Sequence, residues 1–277
     1  MQKSLGLALG SGGARGLAHI AILEAIDELN VDVHAISGTS IGAIIGTLYA
    51  AGLSGRDIRQ AVDSWLAMPG SISEARQAKR TFGWLEFFSL QLKRSHFLHV
   101  DALVAELESL LNVVNLEELP IPTKVVAADF YQRKEVVFDS GPIIPALMAS
   151  FCLPGIFEPV VIDNTILVDG GSVNPVPFDL IHDECDIVVG IDVLGVRMPK
   201  EASMPTFIEA IFNTFQISSK AISDLKQKSH PPDLYIEPLI TDVRVLEFNK
   251  AKFIYEQAQP ECDRLKQELP KLLESSS

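Results

Sequence analysis

The chain has 277 residues, 47% hydrophobic and 21% charged, a balance that excludes global disorder and suits a single domain with a sizeable core. Its net charge of −13 excludes nucleic acid as a partner, because phosphate binding needs clustered Lys and Arg, and opposes strong adsorption to anionic membranes. Cys152, Cys185 and Cys262 are widely spaced and suit reduced thiols, and no zinc-like or EF-hand spacing occurs, so neither metal nor cofactor is expected. No stretch approaches the ~20 uninterrupted apolar residues of a membrane span. Leu5 to Leu9 is too short for a signal peptide, so a cytoplasmic location is expected, peripheral to a membrane at most.

In chain order, a strand over 4–9 feeds the glycine-rich run Gly10-Ser11-Gly12-Gly13-Ala14-Arg15-Gly16, and a helix follows over 16–29. Such a loop presents backbone N–H groups to an anion: a nucleotide phosphate, a dinucleotide pyrophosphate or the oxyanion of acyl transfer. A P-loop would close on Gly-Lys-Ser/Thr, and a dinucleotide fingerprint would put glycine where Arg15 stands. The oxyanion reading fits best, with N–H groups around Gly12, Gly13 and Ala14 as donors. Arg15 is either an added positive charge for that site or a helix-packing side chain.

A second strand over 32–37 runs into Gly38-Thr39-Ser40-Ile41-Gly42 and a helix over 41–52. A serine at a sharp strand-to-helix turn has its Oγ held out, and its neighbours two residues away must be small, as Gly38 and Gly42 are. Helices are expected at 55–66 and 100–111, strands at 123–129 and 134–138, and a helix at 142–149. A strand over 159–168 then ends on Asp169-Gly170-Gly171, an aspartate placed to act as a base or simply an Asp-Gly turn. A strand at 186–192, a helix at 205–228, a strand at 233–237 and a helix at 249–273 complete the pattern. Pro120, Pro122, Pro231 and Pro232 mark connections. The Phe207 to Leu225 stripe reads as a core-facing or dimerising helix face.

Three of these elements resemble the patatin-like phospholipase family, in its compact bacterial form. They are the loop ending Gly13-Ala14-Arg15-Gly16 with Leu17-Ala18-His19-Ile20, the elbow Gly38-Thr39-Ser40-Ile41-Gly42-Ala43, and Asp169-Gly170-Gly171 with Val173-Asn174-Pro175-Val176-Pro177. Ala149-Ser150 to Leu153-Pro154-Gly155-Ile156-Phe157 also resembles the segment that precedes the aspartate turn. The likeness covers residues 3–195 well and the rest loosely. Ser11 departs from it, putting a Cβ and a hydroxyl where the family's loops usually carry glycine.

The resemblance implies a three-layer α/β/α fold with a mostly parallel sheet, one domain over 1–277, and a Ser40–Asp169 dyad without histidine. It implies a lipid or other acyl ester as substrate, with transient membrane-surface contact. Residues 65–100 mix Trp65, Phe82, Trp84 and Phe97 with Arg76, Lys79 and Lys93, and 66–100 is expected to form a cap or lid, while 196–277 extends the same domain. The rival mechanism is a Ser-His-Asp triad, for which His182 and His230 follow the acid in the required order. A regulatory protein that keeps the fold without catalysis is the rival from another class.

Overall fold

The computed structural model describes residues 3–67, 103–195, 204 and 207–274. Eight strands form one sheet: β1 (Leu5–Leu9), β2 (Val33–Thr39), β3 (Thr123–Asp129), β4 (Lys134–Phe138), β5 (Val160–Ile162), β6 (Thr165–Asp169), β7 (Ile187–Ile191) and β8 (Leu234–Ile236). The helices are α1 (Ala18–Leu29), α2 (Ile41–Ala50), α3 (Gly55–Ala67), α4 (103–110), α5 (Ile143–Phe151), α6 (Phe207–Ser229) and α7 (Ala251–Glu274). The expected cap over 66–100 falls, beyond the end of α3, outside the described residues. Among the described residues, no helix is long and apolar enough to cross a membrane.

Strands β3, β2, β1, β7 and β8 lie side by side and parallel, and their apolar runs are buried on both faces. Side chains alternate, so Leu5, Leu7 and Leu9 of β1 face the layer containing α1, α2, α5 and α7, with Ile187, Val189 and Ile191 of β7 beside them. Ala8, Ala35 and Val188 face the opposite way, against Val176, Phe178 and Ile181. α6 lies on this second side, where Ser219 Oγ donates to the Gly171 carbonyl at 2.8 Å and Lys226 pairs with Asp179. Three layers result, as expected from the sequence.

The sheet is mixed, because β4, β5 and β6 extend the parallel core with antiparallel pairings. The single strand expected over 159–168 is a hairpin. Asp163 and Asn164 both take left-handed conformations, φ 49° and 61°, and form its two-residue turn between Ile162 and Thr165. This reversal sets the position of the site. Strand β4 pairs with β3 along 125–129, so β2 (opposite 123–126) and β6 (opposite 127–129) share β3's other edge. They approach end to end, Thr39 opposite Val126 and Asp169 opposite Ala127.

Backbone contact between the first two βα units is close. A Cβ added to Gly42 would stand 2.2 Å from the Leu9 carbonyl oxygen and 2.6 Å from that of Gly10. Both obstacles are backbone, so α2 would have to move away from β1. Gly42→Ala is expected to cost roughly 1–3 kcal/mol and lower Tm by about 3–10 °C; thermal unfolding at the wild-type Tm would sink this view of the packing.

Candidate active site

Ser40 sits between β2 and α2 with φ 57° and ψ −124°, a conformation that L residues rarely adopt. Such strain costs on the order of 1–3 kcal/mol and persists only when the surroundings enforce it. Here Ser40 N–H donates to Ser150 Oγ at 2.8 Å, and Thr39 Oγ1 donates to the Asn174 carbonyl at 2.7 Å. Ser150, fully buried on α5, therefore pins the elbow from the adjoining element. The serine also stands at the N-terminus of α2, where the helix dipole favours developing negative charge.

Ser40 Oγ donates to Asp169 Oδ2 at 2.6 Å, and both residues are buried. Asp169 Oδ1 accepts from Gly171 N–H at 2.8 Å, which orients the carboxylate from the turn that follows it. Burial raises the Asp169 pKa to about 6, opposed by the hydrogen bonds from Ser40 and Gly171. Desolvation thus brings the carboxylate nearer the range in which a base operates at neutral pH.

The glycine loop forms the next wall. Gly13 takes φ 58°, and a Cβ there would lie 2.4 Å from the Val245 carbonyl oxygen, so the residue accommodates both the turn and the close approach of that segment. Of the sequence-derived donors, Ala14 N–H is already committed to Val245 O at 2.7 Å. Gly10 and Ser11 N–H likewise bond the carbonyls of Ile191 and Pro175. Gly12 and Gly13 line the cleft, together with Ser11, Ser40 and Asp169.

Arg15 does not line the cleft. It lies 97% buried behind the loop, with Nε and Nη2 lacking a hydrogen-bond partner, and burial lowers its pKa to about 10 against the attraction of Asp192. Asp192, also buried, is held by Leu194 N–H, Tyr235 Oη and Lys220 Nζ at 2.9, 2.9 and 3.2 Å. A positive charge backed by an anchored carboxylate therefore lies beneath the loop.

The remaining walls were not anticipated from the sequence. Phe212, Phe215 and Gln216 come from α6, Leu246 and Phe248 from the loop before α7, Phe151 from the end of α5 and Phe157 from the segment after it. The first two lie within the apolar stripe expected on that helix, so its spacing was readable although its cleft-facing role was not. Ser11, the departure from pattern, puts a buried hydroxyl without a partner into this cleft wall.

Among the described histidines, His19 Nε2 meets the Gly10 carbonyl at 2.8 Å, and burial lowers its pKa to about 4, so it is a neutral brace for the loop. The His182 side chain is half-exposed, with Nδ1 3.9 Å from Asp183. His230 lines a separate polar cleft with Arg133, Asn174 and Lys226. Neither is a hydrogen-bond partner of Ser40 or Asp169. Cys152 is buried in packing, Sγ 3.0 Å from the Ala149 carbonyl. No group of three or more His, Cys, Asp or Glu among the described residues could hold a metal ion.

Comparison with known proteins agrees with this architecture. Residues 7–182 match the family model "Patatin-like phospholipase", and the chain belongs to that family. An "Uncharacterized NTE family protein" of Mycobacterium tuberculosis is 30% identical over 221 residues, 79% of this chain and 57% of its own length. "Lysophospholipase NTE1" of Kluyveromyces lactis is 25% identical, with coverage of 92% of this chain but 18% of that protein. Among solved structures, VipD from Legionella pneumophila shares the fold, with a TM-score of 0.50 at 14% identity over 95% of this chain and 67% of that one. The chain thus spans little more than half of the mycobacterial relative and a small part of the yeast one.

The raised pKa of Asp169 has a stability consequence. Its folded value of about 6 exceeds the ordinary 3.8, so the folded state holds the proton more tightly and folding loses stability as pH rises between those values. Above about pH 6 the full penalty applies, on the order of 2–3 kcal/mol. Asp169→Asn is expected to melt higher than wild type at pH 7.5 and to lose that advantage near pH 4. Thermal unfolding at both pH values checks it, and a variant less stable at both would contradict it.

Proposed function

We propose that the protein is a serine hydrolase that cleaves carboxylic ester bonds of phospholipids or related lipids, with Ser40 as nucleophile and Asp169 as base. The observation that carries this reading is the 2.6 Å bond from a strained elbow serine to a buried carboxylate, beside free-standing backbone donors in an aromatic-walled cleft. Family membership supports the lipid class of substrate, and the chemistry can be assigned atom by atom.

Ser40 Oγ attacks the ester carbonyl carbon as its proton passes to Asp169 Oδ2. The carbonyl oxygen becomes an anion held by the N–H groups of Gly12 and Gly13, with the α2 N-terminus and the buried Arg15 charge adding positive potential. Collapse of this intermediate breaks the bond to the leaving alcohol, which takes the proton from Asp169, and leaves the acyl group on Ser40. Water then attacks the acyl carbon while Asp169 accepts its proton. The second collapse frees the fatty acid and returns the proton to Ser40 Oγ.

The apolar walls from Phe151, Phe157, Phe212, Phe215, Leu246 and Phe248 suit an acyl chain. No step requires a histidine. A fluorophosphonate probe is expected to label the wild type and leave Ser40→Ala unlabelled. His182→Ala and His230→Ala should hydrolyse a short-chain aryl ester within about threefold of wild type, whereas Asp169→Asn should lose at least about 100-fold. Loss of labelling in either folded histidine variant would install a triad in place of the dyad.

A further inference from the structure

The β3–β4 hairpin ends in Phe130-Tyr131-Gln132-Arg133, and its apolar side chains stand in solvent. Phe130 is 54% exposed and Tyr131 74% exposed, with the rings edge to face at 5.2 Å. Register extends the patch sideways. Phe130 N–H donates to the Ile166 carbonyl at 2.9 Å, and Ile166 stands opposite Val161, which is 64% exposed. Residues opposed in register share a face, so Phe130, Ile166 and Val161 form a row across three strands.

The tip is rigidly built. Asp129 Oδ1 accepts from Tyr131 and Gln132 N–H at 3.0 and 2.8 Å, and Arg133, with φ 54°, returns its N–H to the Asp129 carbonyl at 2.9 Å. The rings are therefore displayed at little ordering cost on attachment. Arg133 and Lys134 are exposed beside them. The nearest acids are largely engaged: Asp129 is buried in its turn, and Glu135 accepts from Asn174 Nδ2 at 2.6 Å. Asp179, which lines one cleft with Arg133 and Lys134, is paired with Lys226, and Asp163 on the β5–β6 turn is exposed. Exposed Arg133 and Lys134 thus flank the aromatic rings in a chain of net charge −13.

Position gives the patch its meaning. Parallel strands β1, β2 and β3 bring their carboxyl ends to one sheet edge, where Ser40 and the glycine loop lie, and Phe130 directly follows β3. Asp169 is opposite Ala127, three residues before Phe130, so the tip projects about 10 Å beyond the catalytic pair along the strand. Rings that enter the headgroup boundary, with flanking cations that meet anionic lipid, constitute an interfacial anchor.

We propose that the Phe130–Lys134 tip docks the protein on the surface of an anionic lipid aggregate, with Phe130 and Tyr131 inserted and Arg133 and Lys134 against the headgroups. The substrate consequence rests on the lipid-ester reading above, whereas docking itself is read out without catalysis. Sedimentation with phosphatidylglycerol–phosphatidylcholine vesicles, in a Ser40→Ala background so that the vesicles stay intact, tests it directly. Phe130→Ser with Tyr131→Ser should weaken vesicle binding at least about fivefold at unchanged Tm, and raised salt should weaken binding of the parent.

In the active protein the same pair should depress vesicle-phospholipid hydrolysis at least about fivefold and keep soluble short-chain ester turnover within about twofold. Vesicle binding unaffected by the substitutions, absence of binding by the parent, or a concentration-dependent dimer that the substitutions dissolve would overturn the assignment. Tip-dependent binding by a protein that hydrolyses no ester would instead remove the hydrolase reading and leave the docking surface in place.

Discussion

The contact between Ser40 and Asp169 depends on two strands meeting end to end. β2 and β6 occupy successive halves of the same edge of β3, one arriving parallel and the other antiparallel, so a serine and an aspartate 129 residues apart finish side by side. Nothing local to either residue would bring them within 2.6 Å. The hairpin turn at Asp163-Asn164 makes this possible by reversing the chain into β6, and the elbow completes it by forcing Ser40 out of ordinary backbone space. Strain at the serine is offset by packing and by the bonds of Ser150 and Asn174 around it.

Burial then sets the electrostatics of the pair. A surface aspartate beside a serine would remain a weak base, whereas desolvation raises Asp169 to about 6 and places it closer to a working range. The same low dielectric strengthens the dipoles that face the cleft and the charge on Arg15. Arg15 is buried near Asp192, which attracts its charge and whose other partners reach to α6 and β8. α6 consequently joins three functions: it walls the cleft with Phe212 and Phe215, supports the aspartate turn through Ser219, and steadies Asp192 through Lys220.

Those parts of the site that have local requirements were legible in the sequence. An elbow needs small neighbours, a backbone anion site needs glycines, and a strand-end aspartate needs a turn, so each left a short string around Ser40, Gly13 or Asp169. The apolar strands β1, β2 and β7 were legible as short hydrophobic runs. Parts that depend on distant pairing were not. The 159–168 run looked like one strand because Asp163 and Asn164 interrupt an otherwise apolar segment without a glycine or proline. Capture of Ala14 N–H by Val245, support of the elbow by Ser150, and the roles of α6 and residues 245–248 as cleft walls arise from segments far apart in the chain.

The central claim is that Asp169 is the base for Ser40, and the rate of fluorophosphonate labelling as a function of pH tests it most directly. In the wild type the labelling rate is expected to rise through one ionisation near pH 6. In Asp169→Asn, labelling should be slower by at least about 100-fold and lack that ionisation. An asparagine variant that kept the wild-type rate and pH profile would contradict it.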